Sequence, residues 1–262
     1  MSSEPKKQKL FQAMAQEGGD TPTRTYIDGM HRPLLRGWMH LFLALGGYWW
    51  CLQMYRERDE RWELILVLLL KSMSLTASAH LHILDQRTPL RYAVANAIDF
   101  ACLPLNGGSI LAITTPRSLP WLRLLHALVM VSFSIAIVFP VYRWTLLVCK
   151  KELEAAVAPH KQRGVLSVAC ALWIYIAWAV QAGIGLHWCG YLLFLLIGYF
   201  FWNAQYMGVP PLPWHGEYWA SHDDFHVCGV VADMFALSFA FNEASSMVAA
   251  STAVVASATS PL

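Results

Sequence analysis

The chain has 262 residues, of which 56% are hydrophobic and 14% charged, with twelve Trp, twelve Phe and ten Tyr. Soluble domains run at about a quarter charged, which excludes that class here, and so many rings suit the two faces of a bilayer. A net charge of +2, a pI near 8.2 and no long basic tract exclude a nucleic-acid partner.

Residues 1–30 are polar and lack the apolar core of a signal peptide, so they are expected to form a mobile cytosolic segment. A helix needs about 20 mostly apolar residues to cross the hydrocarbon core. Seven stretches meet that need, roughly 36–54, 63–84, 91–113, 120–144, 164–183, 187–207 and 219–242. The expected fold is therefore all-α, a seven-transmembrane helix bundle over residues 31–242. Pro140 predicts a kink near the end of the fourth span. The Ala/Ser/Thr/Val-rich stretch 243–262 reads as a mobile tail. The six cysteines lie scattered, mostly in apolar stretches, with no CxxC pair, so neither a thiolate zinc site nor a disulfide framework is indicated.

Lys and Arg in alternate connections set the orientation. The N-terminal set of connections holds thirteen of them and the opposite set five. The N-terminus is expected in the cytosol and the C-terminus across the membrane. The protein is thus expected to be an integral multi-pass membrane protein, in a plasma or internal membrane.

Titratable groups inside spans are expensive, and each needs a reason. Span two carries Lys71, Ser78 and His82 on roughly one face, with His80 pointing elsewhere. Span three carries Asp99, with Asn106 seven residues on and on the same face. Span seven opens with “WASHDDFH”, where His222 and His226 share a face that continues to Asp233. The alternation of spans brings His82, His222, His226 and Asp99 to the cytosolic leaflet. Three imidazoles and a carboxylate at one level can hold zinc with an open fourth position. The alternative is that each histidine packs or caps a helix, the reading given to His40, His80, His126 and His187. Asp224 is expected to be a solvated loop or cap residue. Lys71 and Asp233 are expected to pair across the bundle. They lie eleven residues before His82 and seven after His226, so at 1.5 Å per residue their depths differ by roughly 6 Å.

“RPLLRGWMH” entering span one, “SAHLH” from Ser78 to His82, Asp99 seventeen residues later and “SHDDFHV” opening span seven form an ordered set. In order and spacing they resemble the progestin and adipoQ receptor superfamily, which includes the hemolysin-III-related proteins. The resemblance implies zinc held at His82, His222 and His226, with water bridging to Asp99. Some members of that family act as ceramidase-like lipid amidases, others as hormone receptors, and fungal ones affect zinc homeostasis. The chain departs from the family in “MGVPPLPWHGEYW” before span seven, in the paired aspartates between the histidines and in “NGGSILAITTP” ending span three.

The chemistry expected is zinc-dependent hydrolysis of a lipid amide. Asp99 would serve as base or as a direct ligand, and Ser78 would orient a ligand or the water. The partner is then a membrane lipid, as substrate or ligand. A receptor or signalling protein with a structural zinc site is the competing reading. A transporter ranks last, because the polar residues gather toward one side of the membrane.

Overall fold

In the computed structural model, described residues are 35–57, 62–84, 86–115, 119–182, 185–204, 212–215 and 223–239, and all their regular structure is helical. The seven helices are α1 (Arg36–Arg56), α2 (Trp62–Ile83), α3 (Pro89–Thr114), α4 (Pro120–Cys149), α5 (Leu153–Ala182), α6 (Leu186–Ala204) and α7 (223–239). Four segments are long and apolar enough to cross a membrane: Glu63–Ile83, Pro89–Leu111, Pro120–Cys149 and Leu153–Val180. Leu186–Phe201 is a shorter apolar helix. The proposed tails, 1–30 and 243–262, lie outside the described residues, as does His222.

The outer surface is apolar. Phe42, Ile135, Val165, Ile176 and Val180 are all more than 60% exposed. The interior holds Ser72, Ser78, Asn96, Ser134 and Thr145. An apolar exterior around polar contacts is the arrangement of a membrane-embedded protein, because lipid solvates the first and helices satisfy one another's polar groups in the second.

Successive helices pack side by side, α1 on α2, α2 on α3, α3 on α4 and α5, and α4 on α5. Small residues allow the close approaches. A Cβ on Gly37 would stand 2.4 Å from Ile83 Cγ1, and one on Gly108 2.6 Å from Met130 Cβ. Helix α7 joins both sides of the bundle. Its Ala232 and Ala236 pack with Ile110, Met130, Ile174 and Tyr191, and its Leu237 packs with Cys51, Met54, Leu64 and Leu68.

Polar bonds pin particular pairs. Asn96 Nδ2 donates to Thr145 Oγ1 at 2.8 Å between α3 and α4. At the far end Arg123 clamps three helices. It donates to Glu63 at 2.7 Å and to the Thr115 carbonyl at 2.9 and 2.6 Å.

Pro140 lies inside α4, which continues to Cys149, beyond the expected end of that span. Its C-terminus closes as a Schellman motif, Lys151 N–H to Val148 O and Glu152 N–H to Leu147 O, both at 2.9 Å. Lys151 takes the left-handed conformation the motif requires, φ 61°.

Helix α5 begins eleven residues earlier than its span was expected to. Lys161 and Arg163, read from sequence as connection residues, are inside it. Arg163 is accommodated there by a cation–π seat, its guanidinium 4.0 Å from the Trp144 ring centroid and 5.3 Å from that of Phe100.

Candidate functional site

One end of the bundle gathers the start of α1, the end of α2, the start of α3 and the start of α7. The Gly37–Ile83 approach seats α1 against α2 there, and Leu81 packs on Tyr92 and Ala95 of α3. Each of these ends delivers a titratable side chain.

His82 of α2 is buried, and the His226 ring of α7 stands 6.2 Å away, centroid to centroid, at 70°. The topological argument from sequence placed these two imidazoles at one level, and here they are neighbours.

A third ring joins them that the sequence reading assigned to packing alone. His40, only 2% exposed, sits edge-on to His226 at 4.3 Å and tilted to His82 at 5.7 Å. The same alternation of spans could have found it, since His40 lies four residues into α1, on the side where α2 ends and α7 begins.

On the facing helix, Asp99 stands beside the Ser78 hydroxyl, close enough to interact although Ser78 Oγ makes no hydrogen bond of standard geometry. Ser78 lies one turn before His82 on α2, so the Ser78–Asp99 interaction falls on the α2–α3 seam a turn from the imidazoles. Cys102, a turn after Asp99, faces Ser74 on the same seam.

Asp224 corrects the sequence reading. Instead of being solvated, its carboxylate accepts from His215 Nε2 at 2.5 Å and from Trp214 Nε1 at 3.3 Å. His215 Nδ1 in turn accepts from the Leu212 backbone N–H at 3.1 Å, which leaves Nε2 as the ring's donor. The segment 212–215 is thereby held against the start of α7. Neighbouring Asp223 is fully buried.

Of the other described histidines, His160 lies against Trp144 and bonds Arg163. His126 accepts from Trp173 Nε1 at 3.3 Å, His187 packs on Phe239, and His80 is exposed.

The expected cross-bundle pair is present. Lys71 Nζ of α2 bonds Asp233 Oδ2 of α7, and it also reaches Asn106 Oδ1 of α3 at 3.4 Å. Their side chains are 12% and 18% exposed.

Imidazole nitrogens are suitable donors for zinc. His82 and His226 supply two on neighbouring rings, and the Asp99 carboxyl lies by Ser78, one turn along α2 from His82. The trio His40, His82 and His226 is organised by edge-to-face and tilted ring contacts. Among the described residues no group of three His, Cys, Asp or Glu is placed to hold an ion. The two imidazoles are donors of the kind zinc takes, and the third expected ligand, His222, lies outside the described residues.

Comparison with protein-family models, with curated proteins and with solved structures finds nothing that matches this chain.

Proposed function

We propose that the protein is a seven-span membrane protein of the progestin and adipoQ receptor type, N-terminus in the cytosol, that hydrolyses a lipid amide at a zinc site under the inner leaflet. The single observation that supports this reading is the meeting of the His82 and His226 rings, from helices far apart in the chain, at the end of α2 where Ser78 interacts with Asp99 one turn before His82.

His82 and His226, with His222, would hold the metal. When bound, zinc supplies a Lewis acid for a carbonyl oxygen and lowers the pKa of water toward about 7. Asp99 takes a proton from the water that attacks the amide carbonyl and returns it to the departing amine, so the C–N bond breaks to an acid and an amine. Ser78 positions the Asp99 carboxyl. The apolar flanks of the helices admit the acyl chain from the bilayer, and their polar seam accepts the headgroup.

A second reading rests on His40. A fourth imidazole beside the other three would close the coordination sphere, and a closed site is structural, suited to a receptor or signalling protein. Purified protein assayed against ceramides and related lipid amides separates the two. The hydrolase reading expects turnover in the wild type that Asp99→Ala abolishes while bound zinc stays. Absence of turnover with zinc bound favours the structural site, and loss of zinc in Asp99→Ala makes Asp99 a ligand.

A further inference from the structure

Lys71, Asp233 and Asn106 form a polar cluster in the bundle interior, one residue from each of α2, α7 and α3. Lipid gives these helices no hydrophobic reason to prefer one axial offset over another, so packing and polar pairs must set it. A buried ion pair contributes little net stability once desolvation is counted, and its best-attested use is to fix register.

The arithmetic suits that use. Lys71 is eleven residues from His82 along α2, and Asp233 is seven from His226 along α7. These steps are about 16 Å and about 10 Å of helix, and the lysine stem takes up the difference. Pairing at one level therefore brings the two imidazoles to one level at the bundle's end. A slip of α7 by a single turn would move His226 by about 5.4 Å, nearly the whole 6.2 Å between its ring and that of His82.

We infer that Lys71, Asp233 and Asn106 act as a register key, positioning residues that hold α2 against α7 at the one offset where His82 meets His226. Asn106 ties α3, and with it Asp99, to the same level. The inference rests on helix geometry and stands whether or not a metal binds.

The test uses the full chain in lipid nanodiscs with His82→Cys and His226→Cys as a reporter pair. A short bifunctional thiol reagent joins them, and mass spectrometry measures the rate. Asn96→Cys with Thr145→Cys serves as a control pair across α3 and α4. The double variant Lys71→Met, Asp233→Leu removes the key without leaving a buried charge, so the fold is retained.

In that background the reporter pair should cross-link about tenfold more slowly, within the usual range of coupling between sites, while the control pair is unaffected. The exchange Lys71→Asp, Asp233→Lys should restore the reporter rate. An unchanged reporter rate in the apolar variant overturns the proposal. So does equal slowing of both pairs, which would mean general loosening, and so does a charge-exchanged chain that folds yet keeps the slow rate. No metal enters the measurement, so a chain that binds no zinc defeats the hydrolase reading and leaves this result standing.

Discussion

Gly37 is the position where the histidine end of the bundle is most sensitive to one added carbon. A Cβ there would lie 2.4 Å from Ile83 Cγ1, 2.9 Å from Ile83 N and 3.1 Å from the His82 carbonyl carbon. The side-chain atom can rotate away, but the two backbone atoms cannot move unless α2 shifts. Gly37→Ala must push the helices apart at the turn that carries His82 and faces His40.

Two effects oppose each other in that variant. Alanine in a helix interior gains about 0.5–1 kcal/mol over glycine. Overpacking against a backbone loses about 1–3 kcal/mol. The loss should win by about 1 kcal/mol, or roughly 2–4 °C in Tm for a chain of this size. Gly46 provides the control, since nothing lies within 4 Å of a Cβ there. Gly46→Ala keeps the propensity gain and should raise Tm slightly. Thermal unfolding of both variants in nanodiscs, followed by tryptophan fluorescence, reads the difference. Equal Tm changes would refute the close α1–α2 approach at His82.

At the opposite end, Arg123→Ala removes the guanidinium bonds to Glu63 and to the Thr115 carbonyl. A loss of about 2 kcal/mol is expected, below the figure for fully buried pairs because both side chains are about one-fifth exposed, and a double-mutant cycle with Glu63→Gln measures the shared part. Lys151→Gly relieves a left-handed non-glycine residue and should stabilise by about 1 kcal/mol in chemical unfolding; no gain would contradict the Schellman turn. Asp224→Asn weakens the acceptor shared by His215 and Trp214. Hydrogen exchange over 212–215 should then rise by about fivefold, the effect of losing about 1 kcal/mol.

Much of this arrangement was legible in the sequence because helices obey fixed rise and period. The same rule that spaced Lys71 and Asp233 from their histidines placed the two charges together. Alternating spans brought His82 and His226 to one end. His40 was missed because it stands alone in its span, with no partner at i+4 to mark it. Asp224 was misread because helix-start logic sees only the local dipole, whereas its partners Trp214 and His215 arrive by a turn of the preceding connection. The early start of α5 was hidden by Lys161 and Arg163. Charges usually mark a connection, but here the rings of Trp144 and Phe100 seat one of them.

Metal analysis of the purified chain, with His82→Ala and His226→Ala beside the wild type, tests the central claim most directly. About one zinc per chain in the wild type, lost in both variants while the helical signal persists, is the predicted result. A wild type without zinc, or variants that keep it, would contradict the account.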